Sequence, residues 1–138
     1  MFGKICISST LLIAGTLIYV LFRQQVLFLT HIPSDLLAKI KIDIDYSNCT
    51  AVTYFLIFCL PDALWYAALL IFQSALLEKN ITAKFIFIAS VLLPFIYETM
   101  QKASLIPGTF DWMDIFTYLL TLLILFLCQK KHFYQLLH

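Results

Sequence analysis

Four polar residues near the C-terminal part of the chain have the types and spacing needed for cation or proton chemistry. Glu98 and Gln101 are three positions apart, and so are Asp111 and Asp114. Residues three apart share one face of a helix, so each pair is presented on one side of its own helix. A proline–glycine turn separates the pairs, which predicts antiparallel neighbouring helices that bring both pairs to the same end.

Asp62 supplies a fourth carboxylate, beside Pro61 and ahead of a segment with Trp65 and Tyr66. Ionisable groups at membrane depth are costly and usually face the interior of a bundle, so each is a candidate functional residue. Carboxylates that converge on one mouth are the oxygen ligands that Mg²⁺ or Mn²⁺ prefer. No histidine or cysteine stands at metal-ligand spacing, so no metal ligand is assigned and a divalent cation stays open.

The composition indicates that a lipid bilayer is the main partner of these residues. Of the 138 residues, 62% are hydrophobic and only 12% are charged, and the mean hydropathy is +0.94. A soluble domain has about a quarter charged residues and about half apolar ones. The composition therefore excludes a water-soluble globule and a disordered tail, and a net charge of +1 argues against a nucleic-acid partner.

The hydropathy pattern predicts an all-α membrane protein, a bundle of four transmembrane helices in one domain. A spanning helix needs about 17 apolar residues or more, and the first segment carries no small-residue cleavage site, so it is predicted to be an uncleaved anchor. Proline is tolerated in the first turn of a helix, so the second span is predicted to start at Pro61. The predicted spans are residues 5–22, 61–77, 81–100 and 111–128, with an outer loop at 23–50 and an interfacial or re-entrant segment at 51–60.

Two features of this arrangement are left open by the sequence. One kinked helix from Ala51 is the alternative to a separate interfacial segment, because membranes tolerate proline within helices. A Cys49–Cys59 disulfide is compatible with the predicted placement of both residues but is not required by it. Between Lys39 and Asp45, charged residues and isoleucines alternate strictly, which predicts an extended segment over the outer mouth, as a cover or a lid.

The charges favour an orientation with both termini in the cytoplasm. In that orientation the inner side carries five basic residues and one acid, and the outer side carries four basic residues and seven acids. Because basic residues are retained on the cytoplasmic side, this bias and the Lys130–Lys131 tail favour N-in and C-in. The carboxylates are then predicted to line a pocket at the outer membrane face.

The pattern E-x-x-Q, a turn with glycine and D-x-x-D opening a last apolar helix is similar to that of the VanZ-like family of bacterial membrane proteins. Asp62 before an aromatic-rich helix resembles that family's acidic residue at the same relative place. The similarity covers roughly residues 61–126. It implies an inner-membrane, cell-envelope protein, with family members tied to reduced susceptibility to glycopeptide antibiotics such as teicoplanin.

Two residues depart from the family pattern and are secondary candidates for the site. Thr109 stands where a basic residue often follows the turn glycine, and Tyr66 stands where a histidine is expected. If those family residues carry catalysis or anion binding, this chain has lost or changed that role.

Each carboxylate also has a purely structural interpretation. Asp111 is a good N-cap, with Asp114 three residues on as in a capping box, and Asp62 beside its proline serves its own helix in the same way. Glu98 lies near a helix C-terminus, where the dipole opposes it, and a bond to Gln101 or Lys102 would be its structural role.

Three functions are consistent with the sequence. The first is a VanZ-like envelope protein, and the second is a membrane-embedded enzyme that acts on a lipid or lipid-linked envelope head group with a divalent cation. The third is a small transporter or assembly subunit, which requires an oligomer because four short helices leave little room for a conduit. Whether the protein is an enzyme is therefore left open.

Overall fold

The computed structural model describes residues 1–23, 33, 35, 39–42, 44, 50–76 and 81–128. Within these residues the chain is helical and contains no strand, so the all-α prediction is confirmed for the part that the structure describes. The long helices are α1 (Phe2–Phe22), α2 (Ala51–Leu76), α3 (Ile81–Lys102) and α4 (Trp112–Cys128). By length and composition, α1, α2 and α3 suffice to cross a membrane, whereas α4 is a shorter apolar helix of 17 residues.

Helix α2 lies at the centre and packs against α1, α3 and α4. Its closest neighbour is α1, because Gly15 leaves no side chain where the indole of Trp65 lies. A Cβ at this glycine would stand 2.7 Å from Cδ1 of Trp65. Three hydrogen bonds join the same helices among the described residues. The Ser8 hydroxyl donates to the Ala68 carbonyl at 2.7 Å, the Trp65 indole donates to the Thr16 hydroxyl at 3.3 Å, and the Lys4 ammonium donates to the Ser74 carbonyl at 3.3 Å.

The second helix begins at Ala51 rather than at Pro61, so the proposed break before the proline is wrong. Thr50 caps the start, since its hydroxyl accepts the Thr53 N–H at 3.2 Å. Proline lacks the N–H that a helix interior needs, and a single π-helical turn over Phe55–Cys59 accommodates it. In that turn the N–H of the next residue donates to the Phe55 carbonyl. The continuous helix that the sequence left as the alternative is therefore the one present.

The predicted extended segment is wrong at its start. Lys39 and Ile40 are helical, and Ile42 is irregular and donates its N–H to the Leu21 carbonyl at 2.8 Å. Ile40 and Ile42 remain 51% and 48% exposed, so they form no buried face. A lone strand is unstable without a paired neighbour, which explains why the alternation alone did not produce one. Most of the predicted outer loop, including Cys49, lies outside the described residues. Cys59 carries a free thiol, so the Cys49–Cys59 disulfide that the sequence left open is not formed.

The packed centre is small, and most of the apolar surface faces outward. The buried cluster lies between α2, α3 and α4, whereas α1 and α3 expose large side chains such as Ile13 at 58% and Phe85 at 68%. Water penalises apolar surface of this extent, so these helices suit a lipid environment. The buried cluster consists of Tyr66, Leu70, Ile71, Phe87 and Leu125.

Candidate functional site

Four carboxylates from three helices meet at one end of the fold. α1 ends, α2 begins, α3 ends and α4 begins at this end, which we call the acidic end. The electrostatic fields of the carboxylates overlap, since Asp114 lies in the field of each of the other three. We refer to these residues as the acidic cluster: Asp62, Glu98, Asp111 and Asp114.

Glu98 is almost completely buried, with 4% of its surface exposed. Its Oε2 accepts the backbone N–H of Asp111 at 3.4 Å, which joins the end of α3 to the start of α4. Neither structural interpretation of Glu98 holds among the described residues: Gln101 makes no bond to it, and Lys102 points elsewhere. The Lys102 ammonium instead lies 5.0 Å from the ring centres of two aromatic residues, Phe110 and Trp112.

Asp111 caps α4, as one interpretation of the sequence predicted. Its Oδ1 accepts the Met113 N–H at 2.9 Å, and its Oδ2 accepts the Tyr54 hydroxyl at 3.2 Å. In a capping box the third helical residue would accept the Asp111 N–H. Here Glu98 of the neighbouring helix takes that N–H, so Asp114 is not used by the cap.

Neither Asp62 nor Asp114 caps a helix in the part of the chain that the structure describes. Asp62 lies roughly three turns inside α2, so its predicted role at a helix start is wrong. Neither residue makes a hydrogen bond to any other residue that the structure describes, although both are only partly exposed. Two carboxylates that repel each other and accept no hydrogen bonds destabilise a fold. A contribution to folding therefore does not explain why these two residues are present.

Arg23 lies at the acidic end and is not among the predicted site residues. Its guanidinium donates to the Tyr19 hydroxyl and lies 4.5 Å from the Tyr19 ring centre and 5.3 Å from that of Phe58. Its positive field reaches Asp62 and Asp114, yet within the described ranges no ion pair joins it to either. The available signal was that it ends the first apolar segment on the same predicted side as the carboxylates.

The remaining sequence candidates lie around the cluster or away from it. The Gln101 side chain packs against Gly108, whose φ of +136° suits glycine and where a Cβ would collide with Gln101 Nε2. Gln101 Oε1 is buried and has no hydrogen-bond partner among the described residues. Thr109 is exposed. Tyr66 belongs to the core, where its hydroxyl donates to the Val91 carbonyl at 2.9 Å.

A thiol and a hydroxyl lie buried beside the carboxylates. Cys59 is 0% exposed and Thr117 is 1% exposed. Thr117 follows Asp114 by three positions and therefore shares its face of α4. Its hydroxyl stands next to the Cys59 thiol, which itself lies in the fields of Asp62 and Asp114.

The acidic end offers carboxylate oxygens, which accept hydrogen bonds, and the positive charge of the Arg23 guanidinium acts on two of these carboxylates. Within the described residues, no group of three or more histidine, cysteine, aspartate or glutamate side chains is arranged to hold a metal ion. The carboxylates thus do not fit the divalent cation that the sequence left open. The groups suit a ligand that brings hydrogen-bond donors and positive charge.

The interpretation of the acidic end depends on its own geometry and charge, without support from a known relative. The chain matches no family model, and no curated protein and no solved structure matches it.

Proposed function

We propose that the protein is a VanZ-like integral membrane protein of the bacterial inner membrane that serves the cell envelope through the acidic cluster. The observation that carries the proposal is Glu98, a carboxylate that is 4% exposed on an apolar helix and whose charge acts on Asp62 and Asp114. Burial of like charges costs stability, which favours a role in binding over a role in folding. The envelope assignment comes from the resemblance of the E-x-x-Q and D-x-x-D pattern to the VanZ-like family.

In the proposed membrane arrangement all four helices span the bilayer, with both termini in the cytoplasm and the acidic end outside. α1, α2 and α3 have the length and hydropathy for this. α4 has 17 residues, close to the lower limit of about 17 for a spanning helix. Its tryptophan at the first helical position, Trp112, is 67% exposed, which suits a membrane interface.

Cysteine labelling tests this topology. In a variant without native cysteines, single cysteines replace Ser47 or Gln135, and spheroplasts are treated with an impermeant maleimide. We expect labelling at position 47 before lysis and at position 135 only after lysis. Labelling at 135 alone contradicts the orientation, and labelling at both positions contradicts an even number of spans.

Complementation tests the function. A strain that lacks the protein is assayed for glycopeptide susceptibility after it receives the wild type, Glu98→Gln or Asp35→Asn, with protein level and membrane insertion measured in parallel. We expect the wild type and Asp35→Asn to restore the phenotype and Glu98→Gln to fail, because only the last change removes a charge from the cluster. Full restoration by Glu98→Gln at normal protein level would make the cluster structural.

A further inference from the structure

We propose that α3 is hinged at Pro94, so that the end of the helix swings as an arm at the acidic end and carries Glu98 with it. We call residues 95–102 the α3 arm. The structure shows the arm closed, with Glu98 joined to the start of α4. This inference goes beyond the proposed function, because it concerns a movement of the fold whatever the acidic end binds.

The part of α3 before the proline is anchored to α2. The Tyr66 hydroxyl donates a hydrogen bond to the Val91 carbonyl at 2.9 Å. The Gln73 amide donates to the Ser90 hydroxyl at 2.7 Å. Phe87 belongs to the buried core cluster, and Val91 packs against it. These contacts hold this part of the helix in place, so it can serve as the fixed base of a hinge.

Pro94 weakens α3 where this base ends. It lies inside the helix and has no N–H, so the Ser90 carbonyl one turn earlier receives no helical hydrogen bond from it. The proline ring also crowds that carbonyl. Sharp bends in long helices occur mainly at such residues. A change of bend at Pro94 therefore moves the α3 arm and leaves the anchored part where it is.

The α3 arm buries little that would hold it closed. None of its residues is part of the core cluster among the described residues, and Glu98 is the one residue of the arm that is buried. Glu98 accepts the Asp111 N–H at 3.4 Å, longer than the usual range of about 2.7–3.2 Å. A buried carboxylate costs free energy unless it is well hydrogen-bonded, so the burial of Glu98 favours the closed arm less than an apolar residue would.

Other contacts of the arm are individually weak. The Phe95 ring meets the Tyr118 ring edge-on, with 6.1 Å between the ring centres. The Lys102 ammonium lies 5.0 Å from the centres of two aromatic rings at the start of α4. Residues 103–110, which connect the arm to α4, are not helical. At about 3.3 Å per residue when extended, they are long enough for the arm to move while α4 stays in place.

Distances between spin labels test the hinge in the full chain in lipid nanodiscs. In a variant without native cysteines, labels at the exposed positions of Leu17 in α1 and Met100 in the arm form the arm pair. Labels at the exposed positions of Ile7 in α1 and Ile86 before the proline form the reference pair. We expect one narrow distance for the reference pair and two distances for the arm pair. The two should differ by about 3–5 Å, because a bend of roughly 20–30° moves the end of an arm of about 9 Å by that amount.

Two variants should shift the arm towards the closed distance. Pro94→Ala restores the missing N–H and should leave the arm pair with one narrow distance. Pro107→Ala is the matched control, the same substitution in the exposed turn, and should leave both pairs unchanged. Glu98→Met replaces the buried carboxylate with an apolar side chain of similar length. It should raise the ratio of closed to open arm about fivefold or more.

Four outcomes would overturn the inference. One is a single narrow distance for the arm pair in the wild type, and another is a pair of distances that Pro94→Ala leaves unchanged. Equal broadening of the arm pair and the reference pair would show that α3 moves as a whole. A lower closed fraction in Glu98→Met would show that the carboxylate holds the arm in place. If the arm moves as expected while Glu98→Gln restores the phenotype in the complementation test, the hinge stands and the proposed function falls.

Discussion

The α1–α2 contact and the acidic end differ in whether their polar side chains have hydrogen-bond partners. Where α1 packs on α2, the Ser8 hydroxyl and the Trp65 indole both have partners, and Gly15 lets the helices approach closely. At the acidic end, Asp62 and Asp114 have no hydrogen-bond partner among the described residues and lie in each other's field.

The two regions therefore meet different requirements. A buried polar group with a partner stabilises a helix pair, whereas a buried charge without one costs stability. Proteins retain such a cost mainly at sites that bind or react. The α1–α2 contact therefore holds the helix pair together, whereas the acidic end carries a cost in stability that the proposed binding role would explain.

The largest effect on stability is expected where the α1–α2 contact is closest. In Gly15→Ala the new methyl group meets the Trp65 ring at 2.7 Å and the Pro61 carbonyl at 3.1 Å. Gly3→Ala is the matched control, because a Cβ there meets nothing within 4 Å and both changes raise helix propensity. We expect Gly15→Ala to be less stable than Gly3→Ala by about 1–3 kcal/mol in detergent melting. Equal melting temperatures would show that the two helices do not pack this closely.

A smaller loss is expected when one hydrogen bond of the same contact is removed. Ser8→Ala deletes the donor to the Ala68 carbonyl, a buried bond of 2.7 Å. We expect a loss of about 0.6–1 kcal/mol, the usual value for one hydrogen bond between membrane helices. Thr10→Ala is the control, since the Thr10 hydroxyl is exposed and bonds only to Cys6 of its own helix. A larger loss in the control would contradict the importance given to this contact.

The smallest effect is expected at Asp111, the carboxylate that caps α4. Asp111→Asn keeps an acceptor for the Met113 N–H, and asparagine and aspartate cap helices about equally well. We expect stability to change by no more than a few tenths of a kcal/mol, whereas Asp111→Ala should cost about 1 kcal/mol. Chemical unfolding of the two variants side by side checks this, and equal losses would exclude the cap.

Much of the fold could be predicted from local sequence. The start of α2 could not, because it depends on hydrogen bonds that local patterns do not encode. Long apolar segments bounded by charged residues predicted α1, α3 and α4 closely. Pro61 misled the placement of α2, because the usual rule ends or starts a helix at proline. Whether a π turn relieves the proline depends on bonds five residues apart, such as that from the Leu60 N–H to the Phe55 carbonyl.

Part of the acidic end could also be predicted from the sequence. Antiparallel helices joined by a short turn must bring Glu98 close to Asp111, and this needs only sequence order and helix direction. That Glu98 replaces Asp114 in the capping arrangement depends on how α3 packs on α4. Arg23 joins the site because α1 packs along α2, and no local pattern around it reveals that.

The most direct test is the stability of Asp114→Asn, because the charge of the acidic cluster is proposed to oppose folding. The change removes one charge from a group of four and keeps the shape of the side chain. We predict that the full chain in detergent melts at a higher temperature, with a gain of about 1 kcal/mol, while the variant fails to complement the deletion strain. A loss of stability of similar size, with the phenotype fully restored, would show instead that this carboxylate holds the fold together.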